Sequence, residues 1–223
     1  MPRQARIVIP NVPYHITQRG NRREDVFYSN EDRELYLLWL HEYCEKHNVE
    51  ILAYCLMTNH IHLVAVPSTE EGLQRVLRPL HTRFAQRINR ENGWKGHIWQ
   101  GRYFASALDD AYMWAAIRYV ERNPVRVKTV RKAERYPWSS AAAHCGLRDD
   151  QVLTTKRRWQ RQNEQIDDWS MWLAEGDDTV RLEIMRAHTE RGLPCGSGRF
   201  IKKLERMVGR QLVYRPQGRP KDE

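Results

Sequence analysis

Hydrophobic and polar positions alternate from Val12 to Arg19, with Tyr14, Ile16 and Gln18 on one side and His15 and Thr17 on the other, which predicts a strand closed by Gly20-Asn21. The period then changes. From about Glu31 to His47 the apolar residues Leu35, Leu38, Trp39 and Tyr43 recur at helical spacing behind a Ser29 or Asn30 cap. Alternation returns over Val49 to Met57, breaks for two residues at Thr58-Asn59 and resumes from His60 to Val66, the pattern of an antiparallel hairpin. A second helix is predicted from about Glu70 to Asn89, carrying Leu73, Val76, Leu77, Leu80 and Phe84, with Pro79 as a point of kinking. Beyond a loop marked by Gly93, Gly96 and Gly101, Tyr103 to Leu108 predicts a fourth strand. Asp109 or Asp110 then caps a helix to about Arg122, stopped ahead of Pro124 because the residue before a proline disfavours helical angles. The order βαββαβ plus a helix predicts an α+β fold of the ferredoxin-like, split-βαβ kind: an antiparallel sheet with helices on one face.

The texture changes near Ala141. The polar stretch DDQVLTTKRRWQRQNEQIDD predicts a linker or weakly ordered helix, which divides the chain into a domain over 1–140, a linker over 141–168 and a small, basic, helical DNA-binding extension over 169–223. In that extension a helix from about Thr179 to His188 precedes the break RGLPCGSG, and Ser197 caps another that ends at Gly209. Its stripe is Phe200, Ile201, Leu204 and Val208, with Arg199, Lys202, Lys203 and Arg206 elsewhere, so the pair resembles a helix-turn-helix.

A length of 223 residues with 41% hydrophobic content is enough for one core and a small addition. No apolar run approaches the roughly 18 residues that a membrane span needs, and MPRQARIVIP lacks an apolar leader stretch, so a cytoplasmic protein without a membrane partner is expected. Cys44, Cys55, Cys145 and Cys195 form no CxxC pair, which argues for reduced thiols and against a zinc ribbon. The net charge of +9 favours a polyanionic partner without choosing among DNA, RNA and anionic lipid.

Candidate chemistry sits at two places. On a strand, His60 and His62 share a face with their Cα atoms roughly 6.5 to 7 Å apart, so both rings can converge on one ion; two separately hydrogen-bonded side chains would read the same way. On the helix before Pro124, Tyr119 and Asn123 lie one turn apart on one face, where a nucleophile and a ligand would point together. Ala115, Ala116, Tyr119 and Val120 read equally well as a core stripe.

The conjunction resembles a known family. MPRQARIVIPNVPYHITQRGNRR, LMTNHIHLVAVP, HIWQGRYFASAL, YVERNPVR and YPWSS follow, in order and spacing over roughly the first 140 residues, the pattern of the one-tyrosine HUH transposases known as REP-associated tyrosine transposases. The resemblance implies that His60 and His62 bind Mg²⁺ or Mn²⁺, that Asn123 is the third ligand where wider relatives carry Gln, and that Tyr119 attacks DNA to form a 5′-phosphotyrosine. It implies single-stranded and hairpin DNA of REP type as substrate, transposition as outcome and a place at the nucleoid; monomer and homodimer both stay open. Neutral ligands suit this chemistry, because they leave the ion's full charge for a phosphodiester. Three alternatives stand beside it: a hairpin-binding regulator without catalysis, a relaxase or replication initiator, and a structural metal site. The last normally needs four protein ligands.

For DNA contact the sequence offers Arg3, Arg6, Arg19, Arg22, Arg23, Arg102, Arg118, Arg122, Arg126 and Arg131, of which some would meet phosphate and others only solvent. Trp94, Trp99 and Tyr103 are candidates for base stacking, with Trp99 favoured for the core. Gly218-Arg219-Pro220-Lys221 is similar to an AT-hook core that lays Arg219 in a minor groove, or is simply a basic tail.

Overall fold

The computed structural model describes residues 8–156, 159–160, 164 and 166–213. The elements follow the predicted order: β1 (Tyr14–Arg19), α1 (Asn30–His47), β2 (Val49–Met57), β3 (His60–Pro67), α2 (Gly72–Asn92), β4 (Phe104–Ala107) and α3 (Asp110–Arg126). The four strands form one antiparallel sheet in the order β2-β3-β1-β4. Local chemistry explains the joints. The Ser29 hydroxyl accepts the Asp32 N–H while the Asp32 carboxylate accepts the Ser29 N–H, a reciprocal cap that starts α1. Asn48, left-handed at φ 50, ends α1 and turns the chain directly into β2.

The α+β antiparallel sheet is as expected, but its helices cover both faces, not one. Tyr14, Ile16, Ile61, Leu63 and Ala65 pack with Leu73, Leu77, Leu80 and Phe84 of α2 and with α1, in one core. Ala53, Cys55, Met57 and Val64 point the other way, to Met113, Ala116, Ile117 and Val120 of α3, in a second core. Alternation in β2 and β3 therefore separates two apolar layers; it does not separate core from solvent.

Helix α3 also runs past its expected end. It continues through Pro124 to Arg126, and the Val127 and Thr129 N–H groups bond the carbonyls of Asn123 and Pro124 at 3.2 and 2.9 Å. Burial of Asn123 and Pro124 against the sheet outweighs the local preference of a residue before proline. A buried carboxylate holds the same helix sideways: Glu121 accepts from the Ser140 hydroxyl and pairs with His144 Nδ1 at 2.6 Å, tying α3 to α4 (Ala141–His144).

The expected linker and separate extension share these cores. Beyond α4 come α5 (Trp169–Ala174), α6 (Thr179–Arg191) and α7 (Gly198–Val208). Ala141, Trp159, Trp169, Leu182, Met185 and Cys195 belong to the second core, beside α3, while Leu204 of α7 joins the first. Between α6 and α7, Cys195 lies alongside β4's end: its N–H bonds Ala107 O at 2.7 Å and its carbonyl takes the Asp109 N–H at 3.0 Å. Such a stitched connection does not behave as the turn of a free helix-turn-helix. Cys44, Cys55 and Cys195 are buried, Cys145 is half-buried, and all four are free thiols. Among the described residues no helix is long and apolar enough to cross a membrane.

Because α6 is part of the second core, replacing its fully buried Met185 with Ala should cost about 2–5 kcal/mol. Urea unfolding followed by tryptophan fluorescence and by far-ultraviolet dichroism should show one transition shifted as a whole; a shift confined to a minor separate phase would mean that α6 folds independently.

Candidate active site

Strand register assembles the site. Thr17 lies opposite His62 and Arg19 opposite His60 across the β1–β3 ladder, so His15, His60 and His62 all emerge on the face that α3 covers. His15 and His62 are diagonal neighbours whose rings stack at 5.2 Å with 9° between planes, and His15 Nε2 lies 3.0 Å from His62 Nδ1. The His60 ring meets His62 edge-on at 5.0 Å. From α3, the Tyr119 ring stands edge-on to His62 at 5.3 Å and to His15 at 5.7 Å. His15, His62 and Tyr119 are 1%, 6% and 5% exposed, so this constellation is interior, with half-buried His60 at its rim.

Burial sets the charge of these rings. It pulls His15 down to about 3, with Arg186 adding to the effect, and His60 down to about 4, helped by Arg19 and Arg126. His62 falls well below its ordinary value, again from burial first and the neighbouring imidazoles second. All three are therefore neutral near pH 7. Contacts outside the rings complete their bonding. Asn59 Oδ1 lies 2.6 Å from His60 Nδ1, while Asn59 Nδ2 donates to the Arg23 carbonyl at 3.0 Å. That carbonyl is aimed by left-handed backbone at Arg22 (φ 52) and Arg23 (φ 66), a conformation costing roughly 1–2 kcal/mol per residue. Gly20 makes the turn possible, since a Cβ there would come within 2.1 Å of the Glu24 carbonyl oxygen.

Two cations attend the tyrosine. Arg126 lies over the Tyr119 ring at 4.5 Å, and Arg186 of α6 lies at 5.2 Å with its Nε donating to the phenol oxygen at 3.3 Å.

A family model for IS200-like transposases matches residues 8–123, just over half of the chain. The chain belongs to that family. A Haemophilus influenzae protein provisionally named a REP-associated tyrosine transposase is 27% identical over 124 residues, covering 51% of this chain and 68% of that relative. A solved REP-associated tyrosine transposase bound to a REP hairpin aligns with a TM-score of 0.55 at 19% identity, covering 70% of this chain and 93% of that one, and supports the fold. The family match includes His15, His60, His62, Tyr119 and Asn123 and stops short of Arg126 and all of α6.

The donor set of this transposase fits a divalent ion only with help from outside the usual ligand types. Among the described residues no three His, Cys, Asp or Glu side chains are grouped to hold a metal. His60 and His62 thus need a third donor of another kind. Asn123 is buried one turn beyond Tyr119 on α3, and among the described residues no hydrogen bond joins it to either imidazole. Two neutral nitrogens and an amide oxygen suit Mg²⁺ or Mn²⁺ completed by substrate oxygens.

The arginines divide. Arg22, Arg23 and Arg102 are exposed, and Arg19 is half-buried beside His60; the loop from Ile98 to Gln100 bonds Arg19 and Asn21, which gathers these cations at the His60 end of the sheet. Arg122 is a correction: its guanidinium binds the Leu173 carbonyl and pairs with Asp177 at 3.2 Å, holding α5 and its following loop to α3 instead of facing DNA. Arg118 is spent similarly on Glu175 at 2.7 Å. Trp99 and Tyr103 are core residues, whereas Trp94, 46% exposed and edge-on to Tyr28 at 5.4 Å, is open to solvent. Arg3, Arg6 and Arg219 lie outside the described residues. Sequence reasoning passed over His15, Asn59, Arg186 and Thr189. His15 had the right strand parity, but only the β1–β3 register makes that parity meaningful; Arg186 and Thr189 carry no local signal at all.

In the unfolded chain these imidazoles take up protons below about pH 6.5, whereas in the fold His60 does so near 4 and His15 near 3. Between those values the unfolded state holds more protons, so stability is fully present above pH 6.5 and is lost as pH falls towards 4. Urea midpoints of metal-free protein should fall steadily from pH 6.5 to 4.5. A flat profile would show that these rings are not held neutral.

Proposed function

We propose that this transposase nicks and rejoins single-stranded DNA beside hairpins of REP type, with Tyr119 as nucleophile and His60, His62 and Asn123 as ligands of Mg²⁺ or Mn²⁺. The observation that carries the reading is the placement of one tyrosine under two guanidiniums and edge-on to His62, two residues in from the His60 end of the sheet where the other basic residues gather.

In the reaction the Tyr119 phenol oxygen bonds to phosphorus as the bond to the 3′ oxygen breaks. The phenol proton passes to a phosphate oxygen of the substrate and from there to the departing 3′ oxygen, which leaves as a free hydroxyl. The 5′-phosphotyrosine keeps the energy of the broken linkage, so a second 3′-hydroxyl can reverse the step without ATP. When bound, the divalent ion would polarise the scissile phosphate and offset its added negative charge. Arg126 and Arg186 supply positive charge at the same place, in a setting where water is largely excluded. Arg19, Arg22, Arg23 and Arg102 would track the backbone of the entering strand, and exposed Trp94 and Tyr28 would stack unpaired bases.

Incubated with end-labelled hairpin DNA carrying single-stranded flanks and Mn²⁺, the wild-type protein should form an adduct that survives denaturing electrophoresis, and Tyr119→Phe should form none. His62→Ala should lower the rate by at least about a hundredfold, the scale of losing electrostatic stabilisation of one transition state. An adduct formed equally by Tyr119→Phe would refute the nucleophile. Hairpin binding by both proteins without any adduct across a panel of flanks would favour a non-catalytic regulator.

A further inference from the structure

His15 and Thr189 have no place in the reaction above, yet they are among the least exposed polar residues, at 1% each, and both lie in line with His62. The Thr189 hydroxyl donates its only proton to the Met185 carbonyl at 2.8 Å. Its oxygen can therefore only accept from His15 Nδ1, 2.9 Å away, which puts a proton on that nitrogen. A neutral His15 then has a bare Nε2. At 3.0 Å from it, His62 Nδ1 must be the donor, and a neutral His62 is left with a bare Nε2. One carbonyl on α6 thus dictates, through three hydrogen bonds, which nitrogen of His62 carries a lone pair into the site.

His60 reaches the same state by a separate route. Because Asn59 Nδ2 donates to the Arg23 carbonyl, its Oδ1 faces His60 Nδ1 as an acceptor, and Nε2 of His60 is again the bare nitrogen. Both imidazoles present the same nitrogen, each set by a contact on its far side. In metal sites such outer contacts fix the ring's orientation and raise its basicity.

We propose that His15 and Thr189 are positioning residues of the metal site, holding His62 in the Nδ1–H tautomer with Nε2 free for the ion, so that α6 is an integral part of the catalytic unit. The proposal rests on the reading of His62 as a metal ligand. Without the Thr189 hydroxyl, His15 has no reason to keep its proton on Nδ1. The proton can move to Nε2, His15 then donates to His62, and His62 turns its own N–H towards the ion.

Thr189→Val keeps the shape of this side chain and removes the acceptor; Thr189→Ser restores it. Two readouts separate positioning from mere structure: Mn²⁺ affinity by titration followed by electron paramagnetic resonance, and the tautomer of His62 from ¹⁵N shifts of histidine-labelled, metal-free protein, assigned with His62→Ala. Thr189→Val should bind Mn²⁺ about tenfold to a hundredfold more weakly and show His62 shifted towards Nε2–H. Thr189→Ser should match wild type on both counts, and all three should have similar dichroism spectra. Tight Mn²⁺ binding by wild type with unchanged affinity and tautomer in Thr189→Val would overturn the role of Thr189 and His15 while leaving the metal site standing. If wild type binds no Mn²⁺ at millimolar concentration, the metal reading falls and this role falls with it.

Discussion

Two imidazoles share one hydrogen bond in the middle of a packed sheet face, and the rest of the site is arranged around that bond. His15 and His62 are each nearly sealed from solvent. A buried ring nitrogen left without a partner costs about 1–3 kcal/mol, so the pair demands a donor or acceptor at its outer end, and α6 supplies Thr189. The same helix that packs into the second core through Leu182 and Met185 thus also closes the hydrogen bonding of the pair. The pair stays neutral, since burial without a carboxylate neighbour penalises imidazolium.

Register is what makes the pairing possible. A slip of one residue between β1 and β3 would turn His62 to the opposite face, into the layer filled by Tyr36, Leu40 and Phe84. Both faces are apolar, so hydrophobic burial alone would tolerate such a slip better than in a sheet with one wet face. The tip of the β2–β3 hairpin resists it. Thr58 accepts N–H groups of Val26 and Phe27, and Asn59 accepts that of Gly20 while its side chain holds Arg23. The strained left-handed backbone at Arg22 and Arg23 is therefore a clamp on the hairpin that also sets His60.

How far the sequence discloses this differs from part to part. Strands, hairpin and the first two helices are legible in place and order from changes of period and from breaks such as Ser29 and Asn48, but not in every facing: Leu38, read into the apolar stripe of α1, is 49% exposed, while Tyr36 and Leu40 are buried. His60, His62 and Tyr119 are legible only as two local spacings whose convergence needs the tertiary fold. Pro124 misleads, because a local preference against helix before proline is weaker than the burial of Asn123 and Pro124. Residues 141–168 mislead for another reason: a polar stretch reads as linker, while Ala141 and Trp159, with half-buried Cys145 and Ile166, anchor it beside α3. Arg122 looks like any basic residue near the site until Leu173 and Asp177 are seen to occupy it. Thr189 is invisible beforehand, since nothing local marks one threonine on a helix as the end of a hydrogen-bonded chain.

The cover over Tyr119 is the last constraint. Arg126 and Arg186 lie on its ring, contacts worth about 0.5–2 kcal/mol each. A hydrogen bond from guanidinium to a charged oxygen is worth about 1.5–3 kcal/mol, and a phosphate accepts two from one arginine. A phosphodiester brought to this place therefore competes for the guanidiniums on favourable terms, and drawing them off the ring would uncover the phenol oxygen in the same movement. Under the proposed reading, Tyr119 is shielded by the groups best suited to receive its target, which reconciles its 5% exposure with the proposed attack.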